Sequence, residues 1–340
     1  MAPVIFGVVV LLAAGFAFLN GFRDASTSVA LAVRTRALTP SVAVLLAAFF
    51  NFVGALLSAG LAVAISRTWI SLPGGTDGLT ILAAGLASAC GWGILMWWRG
   101  IPASSTHALV GGLAGAALAS LVVGGPGVAG VNQSLLLQVV LPLLLSPLIA
   151  YSGAFLLVYP ATWSARYTQP SVVNQRFRRS QAVAAGAVAF GHGLQDGQRI
   201  SAVLLLALLA AGYDDGGGIP VWVAVLTAVL ISTGTLFGGW RISHTVGYKI
   251  TRIDPLRGSV AQIHSALLLL LGAVVFHWPL SSTHTVTAAA LGAGENQHFS
   301  VTSRKLVFRI VALWVLTPLA TAALAFVLAL ALSPLPSALP

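Results

Sequence analysis

The chain consists of long apolar runs separated by short polar segments. A helix needs about 20 apolar residues to cross the hydrocarbon core of a bilayer. Runs of that length, or shorter interrupted runs, lie at about 4–20, 41–65, 79–98, 108–124, 134–159, 181–195, 200–212, 220–238, 259–277, 285–294 and 306–332. This pattern predicts an all-α integral membrane protein with about 10–12 transmembrane or half-spanning helices.

The low charge content excludes an ordinary soluble protein. Hydrophobic residues make up 58% of the chain and charged residues only 7%, whereas a typical globular domain carries about 25% charged residues. So few charges cannot cover a surface that faces water, and we expect a multi-pass protein of the cell (inner) membrane. The apolar stretch 1–19 lacks a basic start and a small-residue cleavage site, so we predict a first membrane helix rather than a removable signal.

The formal net charge of +10 would fit a nucleic-acid partner in a soluble protein. Here the positive residues lie in short loops between apolar runs, which is typical of cytoplasmic loops. No basic face alternates with stacking aromatics, so we expect no nucleic-acid partner. The single cysteine, Cys90, excludes a disulfide framework, and no Cys or His spacing indicates a metal ligand set. We expect neither a metal nor a cofactor.

Two polar motifs occur in the same order in each half of the chain. The stretch 20–24 ends in Asp24, and a Ser-Ser-Thr-His sequence begins at Ser104; the stretch 192–196 ends in Asp196, and Ser-Ser-Thr-His recurs from Ser281. The separations are 80 (104 − 24) and 85 (281 − 196) positions. This repetition predicts an internal duplication, with a first membrane repeat at 1–159, a basic polar linker at 160–180 and a second membrane repeat at 181–340.

The two Ser-Ser-Thr triplets each follow a proline by two residues. The hydroxyl residues are Ser104, Ser105 and Thr106 in the first half and Ser281, Ser282 and Thr283 in the second. Proline suits the first turn of a helix, so we predict that the triplets lie at helix N-termini, where unpaired N–H groups, hydroxyls and the positive dipole end converge. Two such ends together would bind an oxyanion. The alternative is that these hydroxyls only cap their own helices.

Two acids, Asp24 and Asp196, are flanked closely by apolar sequence on both sides. A carboxylate inside a membrane is costly unless it is paired, hydrated or bound to a cation, which indicates function. We predict that each one helps to hold a coupling cation beside the anion or takes up a proton. The alternative is a structural ion pair with Arg23 or Arg199.

Three histidines accompany these motifs. His107 and His284 end the hydroxyl motifs, and His192 precedes Asp196 by four residues, on the same helix face. Imidazole titrates near neutrality, so a proton-relay role is one hypothesis for all three. A helix-to-helix hydrogen bond is the alternative.

Taken in order, four motifs resemble those of the inorganic phosphate transporter (PiT) family. Residues 20–40 are similar to its Asn-Gly-x-Asn-Asp stretch ending in Arg-Ala-Leu-Thr-Pro, and 101–111 to its Pro-x-Ser-Ser-Thr-His segment. Residues 189–198 resemble its Ala-His-Gly-x-Asn-Asp motif, and 239–250 resemble a further signature. The resemblance implies a symporter of two inverted repeats that carries phosphate with Na⁺ or H⁺, with a homodimer as a further expectation. The anion site that it implies comprises Asp24, Ser104, Ser105, Thr106, Asp196, Ser281, Ser282 and Thr283.

The chain departs from the family pattern beside both aspartates. Arg23 stands where the family has asparagine, and Thr27 follows three residues after the first aspartate; Gln195 and Arg199 occupy the same places in the second motif. The resemblance implies sodium ligands there, and a guanidinium cannot ligate a cation. If Arg23 and Arg199 point into the site, they favour proton coupling or a different anion. If they point to the interface, sodium coupling stays open.

We therefore expect secondary active transport of inorganic phosphate, coupled to H⁺ or Na⁺. Sulfate or a related oxyanion is the alternative of the same class, although an aspartate acceptor favours protonated phosphate. A passive anion channel is an alternative of another class, which the intramembrane acids argue against. A membrane hydrolase is disfavoured because each motif places its histidine too close in sequence to the serines, and no nucleophile elbow is present. We expect no enzyme activity.

Overall fold

The computed structural model describes residues 2–60, 72–127, 136–214, 218–297 and 302–333, and these are mainly helical. The helices are α1 (Ala2–Arg34), α2 (Pro40–Leu57), α3 (Thr76–Arg99), α4 (Ser105–Val122), α5 (Leu141–Ala165), α6 (Pro170–Ala211), α7 (Val221–Phe237), α8 (Trp240–His244), α9 (Pro255–Val274), α10 (Ser282–Glu295) and α11 (Arg304–Leu332). A π-helical turn, Leu136–Val140, leads into α5, and another, Thr245–Lys249, follows α8.

Eight of these helices are long and apolar enough to cross a membrane: α1 to α6, α9 and α11. Helix α7 and the segment Trp240–Lys249 meet at a bend of 59° and together would make a ninth span. Helix α10 has only 14 residues, or about 21 Å of length, which is too short to cross the hydrocarbon core. The prediction of an all-α membrane protein with 10–12 full or half spans is confirmed for the described residues.

The two aspartate motifs lie inside unbroken helices, whereas the sequence predicted interruptions there. Helix α1 continues through Asp24, and the 42-residue helix α6 joins the runs 181–195 and 200–212 through Asp196. The helices continue because the polar side chains of these stretches find partners on neighbouring helices, so the backbone keeps its own hydrogen bonds. The predicted linker 160–180 is also largely helical, with a short turn between Ala165 and Pro170.

Both Ser-Ser-Thr-His motifs begin helices, as predicted. Ser104 and Ser281 are the N-caps of α4 and α10, and their hydroxyl oxygens accept from the backbone N–H groups of His107 at 3.1 Å and His284 at 3.3 Å. Serine is a preferred N-cap because it satisfies one of the free N–H groups of the first turn. The prolines before them lie in the extended segments that lead into the helices, not in the first turn as predicted.

Helix packing is reciprocal between the two halves. Helix α1 packs on α7 as α6 packs on α2; α3 packs on α4 as α9 packs on α10; and α11 packs on α4 as α5 packs on α10. Helices α1 and α6 are antiparallel neighbours, because Phe6 contacts Tyr213 at one end and the Thr35 hydroxyl donates to Gln181 at the other. This reciprocity is what a duplicated chain would produce.

Glycines three residues before each aspartate allow close helix crossings. A Cβ added to Gly21 would lie 2.0 Å from the carbonyl oxygen of Ile231 on α7, and one added to Gly193 would lie 2.4 Å from that of Asn51 on α2. Only glycine permits such an approach between membrane helices. These crossings place the helix segments that carry both aspartates in the centre of the bundle.

The described basic side chains are concentrated at one end of the bundle, apart from the buried Arg23 and Arg199. We call this the basic end; it contains Arg34, Arg36, Arg99, Arg166, Arg176, Arg178, Arg179, Arg241, Lys249, Arg252, Arg257, Arg304, Lys305 and Arg309. The acids Asp77 and Asp214 lie at the opposite end, where Gly75 donates to the Ala210 carbonyl. The positive-inside tendency predicts that the basic end is the cytoplasmic one.

Candidate functional site

Asp24 lies where the N-terminal ends of α4 and α10 meet. Its carboxylate is fully buried and accepts a hydrogen bond of 2.8 Å from the Thr283 hydroxyl of α10. The Ser105 hydroxyl of α4 lies 3.5 Å from its other oxygen. Hydroxyl groups from both hydroxyl motifs therefore converge on one carboxylate of the first half. A bound oxyanion would need donors in this same arrangement.

His192 lies between the two aspartates. Its Nε2 atom is 3.2 Å from Oδ2 of Asp196 and 4.0 Å from Oδ2 of Asp24. All three residues are buried, and one ligand atom from each lies within 4.8 Å of the others, so the group has the geometry to hold a cation or to share a proton. The sequence placed His192 beside Asp196 but did not predict that it also faces Asp24.

A hydrogen-bonded chain fixes the tautomer of His192. The Thr235 hydroxyl donates to the Ile231 carbonyl at 2.8 Å, so it accepts from the Asn51 amide nitrogen at 2.9 Å. The Asn51 oxygen therefore faces Nδ1 of His192, 2.9 Å away, and this nitrogen must carry the proton. The neutral ring then has a lone pair on Nε2, facing the two carboxylates. The sequence analysis missed Asn51, whose only signal was a lone amide inside an apolar run.

Both buried arginines point into the protein rather than to the interface. Arg199 pairs with Asp196 and also donates to the Leu280 carbonyl at 3.0 Å. Arg23 donates to the Ala103 carbonyl at 2.7 Å. Each guanidinium thus holds the carbonyl that immediately precedes an N-cap serine. The structural ion pair considered as an alternative role for Asp196 is present, and Arg199 adds a fixed positive charge beside it.

Gln195 and Thr27 make local contacts. The Gln195 oxygen accepts from the backbone N–H of Leu280 at 3.1 Å, and its nitrogen donates to the Trp278 carbonyl at 3.1 Å. The Thr27 hydroxyl donates to the Asp24 carbonyl, one turn before it, at 2.7 Å. Gln195 therefore positions the extended segment before α10, and its oxygen is already engaged by a donor.

The hydroxyls of the two triplets have different surroundings. Ser104 and Ser281 cap their helices, which was the alternative to ligand binding, and Ser104 also lies 2.8 Å from Nδ1 of His107. The Thr106 hydroxyl is buried and has no partner among the described residues. Ser282 is buried as well. A buried hydroxyl without a hydrogen bond costs about 1–3 kcal/mol, so an acceptor placed next to Thr106 would relieve this cost.

The rings of His107 and His284, in the first turns of α4 and α10, pack against each other at a tilt of 36°. Their ring centroids are 4.7 Å apart, and the Trp314 ring covers His284 at 4.0 Å. The Trp314 nitrogen donates to the Pro102 carbonyl at 2.9 Å. The two histidines also line an apolar cavity of about 500 Å³ between α5, α10 and α11. This is a helix-to-helix contact, although a contact between rings rather than the hydrogen bond considered from the sequence.

A bundle of membrane-spanning helices, in which two hydroxyl-bearing helix ends meet at a buried carboxylate, belongs to the class of membrane transporters. Comparison with known families then identifies the particular family. The sequence profile described as "Phosphate transporter family" matches residues 20–325, and the chain belongs to that family. The resemblance predicted from four motifs is confirmed, as is the multi-pass membrane location.

Individual relatives agree with this assignment. The chain is 39% identical over 317 residues to a protein of Rhizobium meliloti (strain 1021), with 93% of this chain and 92% of the relative covered. It is 34% identical over 311 residues to a protein of Bacillus subtilis (strain 168), with 91% and 92% covered. Both carry the name "Probable low-affinity inorganic phosphate transporter".

A solved structure shares the fold. The protein described as "The sodium-dependent phosphate transporter" superposes with a TM-score of 0.85 and 23% identity, covering 97% of this chain and 99% of that chain. At this identity the likeness establishes the common fold, and the sodium dependence is a property of that protein.

Proposed function

We propose that the chain is a secondary active transporter that imports inorganic phosphate by symport with protons. Membership of the phosphate transporter family and the names of its relatives support phosphate as substrate. The observation that carries the mechanism is the pair of hydroxyl contacts made to Asp24 by Thr283 and Ser105. The anion site consists of this carboxylate and the two hydroxyl triplets, together with Asp196.

Asp24 competes with the substrate for the same donors. A charge-assisted hydrogen bond to a carboxylate is about twice as strong as a neutral one. Protonation of Asp24 weakens its hold on Thr283 and Ser105 and also removes its repulsion of an incoming anion. The hydroxyls can then turn to a phosphate oxygen, with Thr106 as a further donor. Proton and phosphate therefore favour each other's binding, and this coupling is reciprocal.

His192 supplies a place for the coupling proton. Because Nδ1 donates to Asn51, the neutral ring directs the lone pair of Nε2 at the oxygens of Asp196 and Asp24. A lone pair that faces carboxylate oxygens is repelled unless a proton lies between them. The cluster is therefore stable with one proton shared among His192 and the two acids, while Arg199 balances the charge of Asp196.

The two halves form inverted repeats in this proposal. The antiparallel contact of α1 with α6 and the meeting of the first turns of α4 and α10 at the His107–His284 contact support it. Transporters with this architecture bind substrate near the middle of the membrane, where half-helix ends from the two repeats converge. The predicted domain boundaries and the homodimer stay predictions.

Phosphate fits the site better than sulfate does. At neutral pH phosphate carries at least one proton and can donate to a carboxylate, whereas sulfate is fully ionised and offers only acceptors. While Asp24 is ionised, it would repel an anion that has no such donor. The family and the relatives described above are also named for phosphate.

The test is uptake of labelled phosphate by the purified protein in proteoliposomes, with the membrane potential clamped and either a pH or a sodium gradient imposed. We expect accumulation with an acidic exterior, no need for sodium, and little inhibition by excess sulfate. Accumulation driven only by sodium would replace the proton as coupling ion. Uptake that never exceeds equilibrium would indicate a channel, and strong inhibition by sulfate would indicate a broader oxyanion transporter.

A further inference from the structure

A group of closely spaced positive charges lies outside the central site, at the basic end between α1 and α6. A cavity of about 520 Å³ there, which we call the arginine pocket, is lined by Arg36, Ser171, Asn174, Gln175, Arg178 and Arg179. Three guanidiniums and three neutral polar side chains therefore face one space. No acid is among the lining residues.

The charges of the arginine pocket are not balanced by the described part of the protein. None of its three arginines takes part in an ion pair among the described residues. Two acids of the basic end are engaged elsewhere, because Asp254 pairs with Arg257 and Glu295 accepts from Tyr151. Like charges that share a cavity repel one another, so an anion with several oxygens would bind there favourably.

The backbone around the arginine pocket also favours the binding of an anion. Arg36 is held in a left-handed turn (φ 61°) just after α1, where the Ala37 N–H closes the helix on the Ala32 carbonyl. The 42-residue helix α6 begins at Pro170, so its free N–H groups and positive dipole end lie beside Ser171. The start of α6 thus adds positive potential to the pocket that Arg36 lines.

The position of the arginine pocket indicates which kind of molecule would carry the bound anionic group. Ala182 lines it, and the next residue, Val183, is 75% exposed on the membrane-facing surface of α6. Helix α2 packs against α6, and it exposes Val42 and Leu45. In a chain that spans a membrane, exposed apolar side chains of this kind are suited to contact acyl chains. The pocket therefore lies where the hydrocarbon surface of α2 and α6 meets the headgroup layer.

We propose that the arginine pocket binds the phosphate group of an anionic phospholipid, whose acyl chain lies along α2 and α6. Basic pockets between membrane helices on the cytoplasmic side are suited to such headgroups. The Thr35–Gln181 hydrogen bond of 2.6 Å joins α1 to α6 beside the pocket. A bound lipid would therefore link the two helices that carry Asp24 and Asp196, at a site separate from that of the transported substrate.

The experiment compares lipid retention by three purified proteins in native mass spectrometry, with phosphatidylglycerol as probe and phosphatidylcholine as neutral reference. The first protein is the wild type, and the test protein carries Arg36→Gln, Arg178→Gln and Arg179→Gln. The matched control carries Arg304→Gln, Lys305→Gln and Arg309→Gln, three exposed charges of the same end. Each basic residue near the membrane surface strengthens the binding of an anionic lipid by about tenfold or less. Because the test protein lacks three such residues, we expect it to retain phosphatidylglycerol roughly tenfold or more weakly than the wild type and the control do.

Three results would overturn the proposal. The first is equal retention of phosphatidylglycerol by the test protein and the control, and the second is equal retention of both lipids by the wild type. The third is displacement of phosphatidylglycerol by millimolar inorganic phosphate, which would make the pocket a site for the free anion.

Size-exclusion profiles and melting temperatures of the three proteins show whether the substitutions leave the fold intact. If the triple variant does not fold, the single variant Arg178→Gln is compared with the single variant Arg309→Gln in the same assay. Weaker retention of phosphatidylglycerol by Arg178→Gln alone is then the expected result, and equal retention by the two single variants would overturn the proposal.

Discussion

The Thr283 hydroxyl donates a 2.8 Å hydrogen bond to Asp24, although 259 positions separate the two residues in the chain. Thr283 belongs to the half-helix of the second half and Asp24 to the first long helix. The contact therefore joins the two halves at the point where substrate and coupling ion are proposed to meet. Any change in the charge of Asp24 therefore acts directly on a hydroxyl that we propose as a donor to the anion.

Replacing Asp24 by asparagine should uncouple the transporter. The amide keeps the shape of the carboxylate but cannot gain or lose the charge on which the competition with phosphate depends. We expect accumulation driven by a pH gradient to fall by about 5–150-fold, the range of ordinary coupling energies. Uptake into proteoliposomes measures this. Asp77→Asn, at an exposed position in the first turn of α3, is the control; wild-type accumulation by the Asp24→Asn protein would refute the assignment.

Replacing Thr106 by valine should weaken substrate binding without a loss of stability. Its buried hydroxyl has no partner among the described residues, so removing it should leave the protein at least as stable, with a gain in the free energy of unfolding of up to about 1–3 kcal/mol. A hydrogen bond to a charged phosphate is worth about 1.5–3 kcal/mol, so the KM for phosphate should rise by roughly tenfold or more. The Thr283→Val protein provides the contrast, since it should lose stability as well. An unchanged KM in Thr106→Val would remove this residue from the site.

Replacing His192 by glutamine should abolish the response to pH while sparing exchange. The glutamine amide can still donate to Asn51, but it cannot carry a proton to the carboxylates. In the wild type, uptake should rise as the external pH falls; in the variant, this dependence should flatten, and exchange of labelled for unlabelled phosphate at equal pH should persist. His264→Gln, on α9 against the Ile149 carbonyl, should behave like the wild type. An unaltered pH profile in His192→Gln would count against the proton site.

Replacing Gly193 by alanine should destabilise the bundle. The new Cβ would lie 2.4 Å from the Asn51 carbonyl oxygen, and overpacking of this kind costs about 1–3 kcal/mol. Gly15→Ala, in α1, is the matched control, because no atom lies within 4 Å of its added Cβ. Melting temperatures in detergent should fall for the first variant only. Equal values for the two proteins would show that the α2–α6 crossing tolerates a side chain.

Much of the fold could be predicted because the thickness of the bilayer fixes the length of an apolar span. The helix starts at Ser104 and Ser281 were also predictable, since serine at an N-cap is a local signal. The continuity of α1 and α6 through Asp24 and Asp196 was not, because the partners that satisfy those polar stretches lie on other helices. Local sequence could not indicate that Thr283 would be one of these partners.

The residues of the site could be predicted from the sequence, but the contacts between them could not. Repetition identified the aspartates and the hydroxyl triplets, but not which hydroxyl would face which carboxylate. Arg23 was expected to lie near a carboxylate or the interface, and it holds the backbone carbonyl of Ala103. Asn51 escaped notice because a single amide in an apolar run has no periodic or repeated pattern, and its role depends on His192, 141 positions away.

The ring contact between His107 and His284 constrains how the two faces of the protein can open in turn. The two rings come from the first turns of α4 and α10 and have their centroids 4.7 Å apart, with Trp314 against one side. A movement that draws the half-helices apart must break this aromatic contact, and one that preserves it must carry both as a single rigid body. The distance between the two imidazoles is therefore a reporter of the transport cycle: constant if the half-helices rock together, and variable if they part to release the substrate.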